Sequence, residues 1–356
     1  MKPLIVTPEE KRESRITVLY FCLFALVFVI SNMFFWTPDN ALFSQEPYFK
    51  MDFMNKIEYK KPEIIMLGNS MLENRVDDEY FAELTKVNSI KISSGGAASA
   101  FWYLVFKNII IPSLTRQTTV AVFFRDHYLT DPGYRVKGNY KTRIDSIAEE
   151  DEPLLYKLAY EGKMNFLSRL FYRYLPLYKN KEKCSLLLEE FVKNGLLLWA
   201  AGLEKGYVDK MLNKVFADKN MNTELLTRSQ LAAETPDNIS SYDFASNLPR
   251  SFLPHMIRLA KINDIDLIFV RVKRRRDLVP ERQPEVLREY MENLEEYFKK
   301  NNIIYIDFTD ESRIKEEHYA EGDHLKSPEG SRLFTGLLVE TLSKHLDFEG
   351  MSTQIH

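Results

Sequence analysis

Short apolar, β-branched runs alternate with longer helical patterns over most of this chain. Five runs read as strands: Glu63–Leu67, Ser89–Ser93, Thr118–Phe124, Asp266–Val272 and Ile303–Phe308. Apolar residues recurring every three or four positions predict helices at about 71–85, 97–111, 248–264, 285–301 and 328–346. Strand-then-helix alternation predicts a parallel sheet covered by helices on both faces. The stretch 127–245 breaks that alternation. It is rich in Leu, Tyr, Lys and Glu, and it reads as a mainly helical insertion after the third strand, forming a cap or lid. Within it, Phe166 to Lys179 reads more readily as a core-facing helix than as a lipid-facing surface.

The N-terminus has a different pattern. Ile16 to Trp36 runs for 21 residues without a charge. A helix of that length rises about 32 Å, enough to cross a bilayer core. Lys2, Lys11, Arg12 and Arg15 precede it, which predicts a cytoplasmic N-terminus. Bulky Phe34-Phe35-Trp36 follows it in place of small residues, predicting an uncleaved signal anchor. The expected order is therefore a cytoplasmic N-terminus (1–15), a transmembrane signal anchor (16–36), a juxtamembrane connector (37–60), an α/β domain (61–346) and a C-terminal tail (347–356). The chain is expected to be single-pass in the cytoplasmic membrane, with the domain periplasmic or extracellular. The bilayer is thus its first expected partner.

Composition adds exclusions. The net charge of −3 gives no reason to expect nucleic-acid binding. No zinc-like Cys/His spacing, Gly-rich phosphate loop or internal repeat is present, so no metal or organic cofactor is expected. Cys22 lies in the apolar span, which leaves Cys184 alone outside it and rules out an intradomain disulfide.

The candidate chemistry gathers at strand ends. In an open parallel sheet, ligands bind beyond the carboxyl ends of the strands. There stand Gly68-Asn69-Ser70, then Ser94-Gly95-Gly96-Ala97, Arg125-Asp126-His127, the basic run Lys273 to Arg276, and Glu321-Gly322-Asp323-His324. A hydroxyl needs a nearby base to become a nucleophile, and that base needs an orienting group. Ser70 is the candidate nucleophile and His324 the candidate base, with Glu321 or Asp323 as orienter. His127 is the rival base. Amides of Ser70 and of Gly95 or Gly96 are the candidate oxyanion donors, helped by the start of the helix after Ser70. The basic run reads as a solvated loop, or else as a phosphate or anionic-polymer site.

These residues resemble the SGNH, or GDSL-type, hydrolase superfamily over roughly 60–126 and 250–346. The resemblance implies a flavodoxin-like three-layer α/β/α sandwich with a five-stranded parallel sheet. It implies a serine nucleophile after strand one, a glycine after strand two in the oxyanion hole, and a C-terminal acid–histidine pair. Three departures stand out. Asn69 replaces the usual Asp. Glu321 stands where the family has Asp. Phe123-Phe124-Arg125-Asp126-His127 replaces the third-strand Gly-x-Asn-Asp block, making Arg125 a candidate substitute donor. The anchor and the Asp-His-Leu signature are similar to a branch that includes the DltD protein of teichoic-acid alanylation and the AlgJ and AlgX alginate acetylation proteins. They are also similar to an uncharacterised bacterial family of the same clan. That resemblance implies hydrolysis or transfer of acyl groups on an envelope polysaccharide, a teichoic-acid-like polymer or a lipid, beside a membrane-bound O-acyltransferase. A non-catalytic binding or scaffold role on the same rim is the alternative.

Overall fold

The computed structural model describes residues 49–149, 151–161, 164–175, 178, 242–280, 283–320 and 322–352, with 19–20, 22–27 and 29–30 near the N-terminus. The chain divides into two compact units, Gln45–Lys163 with Asn213–His356, and Met1–Ser44 with Met164–Leu212.

The larger unit contains the sheet. Strands β1 (Ile64–Gly68), β2 (Ser89–Ser93), β3 (Thr119–Phe124), β4 (Asp266–Arg271) and β5 (Ile304–Asp307) pair in parallel, in the order β2-β1-β3-β4-β5. This is the flavodoxin-like order, whose switch point lies between β1 and β3. The expected strands match within a residue or so at each end. Central β1 and β3 are buried at every position, while edge strand β2 alternates. A strand covered on both faces has to be apolar throughout.

Side-chain alternation divides the core into two layers. Met66, Ala121, Phe123, Ile268 and Val270 pack on one side with Phe81, Phe334 and Leu338. On the other side Phe269 stacks on Phe298 at 4.6 Å, and Phe124 meets Phe269 edge-on at 6.3 Å. Each such side chain, fully buried, contributes roughly 2 kcal/mol.

The expected helix over 71–85 is two helices, α2 (Ser70–Glu73) and α3 (Asp78–Thr85). Local capping breaks it: the Asp77 carboxylate accepts from the Tyr80 amide at 3.0 Å, starting α3 afresh. The helix expected from 97 starts at Ser99 and runs through a π-helical turn to 113. Part of the expected connector is itself helical, Phe49–Lys60. Helices Asn139–Ile147, Leu253–Ile262, Glu285–Lys300 and Glu329–Leu342 complete the layers.

In the smaller unit, the described part of 19–30 is helical, with Leu19, Phe24 and Ile30 more than half exposed. The ends of the expected span 16–36 lie outside the described residues. Among those described, no helix is long and apolar enough to cross a membrane. The helix Phe166–Tyr174 does not turn its apolar face into a core. Phe166, Leu167 and Tyr174 are exposed, and among its described side chains only Tyr172 is buried. Cys184 also lies outside the described residues.

Candidate active site

Ser70 opens α2 directly beyond the end of β1. Gly68 makes the approach possible, since a Cβ there would lie 2.7 Å from Leu72 Cβ and 3.2 Å from Phe123 Cβ. Asn69 is extended and caps α2, its Oδ1 accepting from the Met71 amide at 2.9 Å. Its Nδ2 donates to the Ala97 carbonyl at 3.3 Å, tying this turn to the loop after β2. A carboxylate in its place could accept but not donate, so the tie to Ala97 needs the amide. The helix behind Ser70 is four residues long. Its dipole is therefore slight, and any oxyanion support comes from individual amides.

His324 arrives from the far end of the chain on a short antiparallel clasp. Tyr319 and Leu325 form an isolated bridge. Ala320 N donates to the His324 carbonyl, and Lys326 N to the His318 carbonyl, each at 2.8 Å. Leu325 is buried in the core. A Cβ at Gly330 would lie 2.8 Å from the His318 carbonyl oxygen and 3.0 Å from Leu325 Cβ, so this helix start has to be glycine. The result is a His324 Nε2 to Ser70 Oγ distance of 3.2 Å. With the imidazole proton on Nδ1, Nε2 accepts from the serine hydroxyl, as a base must.

Of the two candidate orienters, Glu321 lies outside the described residues. The Asp323 carboxylate is taken up instead by a guanidinium cage. Oδ2 accepts from Arg125 Nη1 at 2.6 Å and Arg274 Nε at 3.0 Å, and Oδ1 accepts from the Arg275 amide at 2.9 Å. Burial pushes this carboxyl up, but the charges of Arg274 and Arg125, the Arg275 amide and the charge of Arg75 together outweigh it and hold it at about 2. Asp323 thus fixes the loop that carries His324.

The basic run is neither a solvated loop nor an open anion site. Lys273, Arg274 and Arg276 are buried. Arg274 Nη1 donates to Asp126 Oδ2 at 2.8 Å, and Arg276 Nη2 to Asp126 Oδ1. Burial raises the Asp126 carboxyl, yet Arg274, Arg276, Arg125 and Arg271 bring it well below the usual range. Arg275 alone reaches the periphery, paired with Glu316. Arg75, which sequence reasoning missed, is fully buried. Its Nη2 donates to the carbonyls of Lys273 and Asp323, each at 2.8 Å. Burial is the main cause of its lowered pKa. One side chain from just after the serine helix thus grips the β4 loop and the histidine loop together. Its only sequence signal was a charge between apolar Met71, Leu72 and Val76.

Gly96 is buried with φ +75, while Gly95 is exposed. Among the described residues no loop or turn carbonyl accepts from the amides of Ser70, Gly95 or Gly96. Arg125 is committed to Asp323, which argues against its substituting for the missing asparagine. His127 lies against Tyr242, ring centroids 4.4 Å apart, with Asp131 3.9 Å from its Nε2. The structure brings His324, not His127, to Ser70. No group of metal-binding side chains occurs among the described residues.

No family model and no curated protein matches the chain. Among solved structures it is similar to a GDSL-like lipase from Bacteroides thetaiotaomicron VPI-5482, at 13% identity and a TM-score of 0.39, covering 85% of this chain and all of that one. It is likewise similar to a protein named as an acylhydrolase from Bacteroides fragilis NCTC 9343, at 12% identity and a TM-score of 0.40, covering 87% of this chain and all of that one. The distances within this chain, not those likenesses, carry the roles considered for Ser70 and His324.

Proposed function

We propose that this protein is a membrane-anchored, outward-facing SGNH-type serine acyl hydrolase or O-acyltransferase acting on an envelope glycan or lipid. The observation that carries the reading is the 3.2 Å approach of His324 Nε2 to Ser70 Oγ at the end of β1. Ser70 Oγ attacks an ester carbonyl while His324 takes its proton. The carbonyl oxygen becomes the oxyanion, met by amides of Ser70 and the Gly95-Gly96 turn. His324 then protonates the departing alcohol, leaving an acyl group on Ser70. Water or an acceptor hydroxyl, deprotonated by His324, releases that acyl group. Glu321 is the orienter in this proposal, since the Asp323 carboxylate is occupied elsewhere. The charge-free segment 16–36 supports the anchor, and the basic residues before it support the outward orientation. A fluorophosphonate probe is expected to label the wild type and not Ser70→Ala. Equal labelling of the two would sink the assignment.

One observation favours a second reading, a non-catalytic module serving a membrane-bound O-acyltransferase. The third-strand donor of the family is absent, and Arg125, which replaces it, is engaged with Asp323. Deletion that abolishes envelope acylation, with full rescue by Ser70→Ala, is the result that reading requires.

A further inference from the structure

Around the site, Arg125 pairs with Asp323, Arg271 with Asp307, Arg274 with Asp126 and Asp323, and Arg276 with Asp126, while Arg75 donates to the carbonyls of Lys273 and Asp323 and Arg143 to that of Gly95. Arg135 is different. Among the described residues no carboxylate lies within ion-pair distance of it. Its guanidinium carbon sits instead between two rings, 5.1 Å from the centroid of Tyr134 and 5.3 Å from that of Tyr140. A Cβ at Gly96 would fall 2.5 Å from Arg135 Nη1, so the guanidinium lies directly against this glycine. The Gly96 loop in turn abuts the serine turn, through Asn69 Nδ2 on the Ala97 carbonyl at 3.3 Å and Ser94 N on the Gly68 carbonyl at 3.4 Å.

This placement is built. Arg135 has φ +53, a left-handed conformation unfavourable for a side chain of its size. The preceding loop is pinned by buried Leu129 and by Thr130, whose hydroxyl meets Tyr290 OH at 2.8 Å. Val136, the next residue, is also buried. Tyr134 stacks on Tyr128 at 4.2 Å, and Arg125 lies 5.5 Å over Tyr128. A continuous arch of tyrosines and arginines thus runs from the neighbour of Asp323 to the glycine turn.

We infer that Arg135, held between Tyr134 and Tyr140 beside Gly96, binds a carboxylate or phosphate group of the substrate next to the ester that Ser70 attacks. This rests on the serine-hydrolase reading for the ester, but the anion site itself does not need turnover. The rings of Tyr134 and Tyr140 are engaged with the guanidinium and hold its orientation. A half-buried guanidinium without a carboxylate partner suits an oxyanion, which it meets with paired donors. The substrate class is accordingly an acylated anion, with its carboxylate or phosphate beside the ester.

The test is a ligand-observed NMR titration of the detergent-solubilised full chain with glucuronate, glycerol phosphate and the neutral methyl glucoside. Wild type and Ser70→Ala are expected to bind one of the two anions at least about tenfold more tightly than the neutral sugar. The preferred anion tells a carboxylate from a phosphate. Arg135→Gln is expected to lose that preference and Arg135→Lys to retain part of it. Lys137→Gln, altering an exposed neighbour, should keep it whole. Tyr140→Leu, which removes one stacking face, should reduce it. Equal binding of anion and neutral sugar by the wild type overturns the inference, as does a preference that survives in Arg135→Gln. Either result can occur with fluorophosphonate labelling of Ser70 intact. Conversely, absent labelling with an Arg135-dependent preference would retire the hydrolase and leave the anion site standing.

Discussion

Single residues at the serine turn each meet more than one demand. Asn69 caps α2 with its oxygen and holds the glycine loop with its nitrogen. Asn69→Ala removes both and is expected to cost about 1–2 kcal/mol. Asn69→Asp keeps the cap acceptor and loses only the donor, so its urea midpoint should fall between those of wild type and alanine. An aspartate variant as unstable as the alanine would mean the cap contributes little. His324→Ala is expected to lower kcat by roughly 100-fold or more, the usual scale for a positioned base, with little change in melting temperature. Loss of folding in that variant would instead make His324 part of the scaffold.

At the scale of elements, the histidine loop is located by charge as much as by packing. Asp323 has a depressed carboxyl pKa in the folded chain, about 2 against an ordinary 3.8. Its ionised form is therefore the one that folding favours. The stabilisation, roughly 2 kcal/mol, is complete above about pH 4 and is lost as pH falls through about 2. Asp323→Asn should be destabilised near neutrality by roughly 3 kcal/mol, since it leaves buried guanidinium charge uncompensated. The gap from wild type should close toward pH 2, which denaturant melts across that range would show. A gap independent of pH would remove the electrostatic account. Arg75 joins two loops through carbonyls. Arg75→Met fills much of its volume but strands those acceptors, at an expected cost of about 2–3 kcal/mol. It is also expected to lower kcat more than it alters KM, because it moves the base relative to the nucleophile. A change confined to KM would argue against this positioning role.

For the whole molecule, the candidate site of the larger unit lies at the crossover between β1 and β3. The exposed apolar side chains of 19–30 and of Phe166–Tyr174 belong together to the smaller unit. Alkaline carbonate washing is expected to leave the full chain in the membrane pellet and to release a chain deleted for 16–36. Release of the intact chain would count against the span.

Much of this architecture was legible in order and type. Five apolar runs separated by helical patterns specify a parallel α/β sheet, because a strand buried on both faces has no other way to be written. Ser70, Gly96 and His324 could be named as candidates because each follows a strand end or opens a helix. What the sequence alone did not determine was the partnership of charges. Lys273 to Arg276 reads locally as a solvated run. Only the fold supplies Asp126 and Asp323 from distant segments and makes burial of those cations favourable. Asp323, adjacent to His324 in sequence, is held by Arg125, Arg274 and the Arg275 amide for the same reason. Arg135 has no distinguishing sequence signal. Its significance arises from an anchored loop that sets it between two tyrosines against Gly96. Patterning along the chain therefore placed the sheet and its reactive edge. Long-range electrostatics, which depends on through-space distance, decided which charged residues stabilise the molecule and which one is left for a ligand.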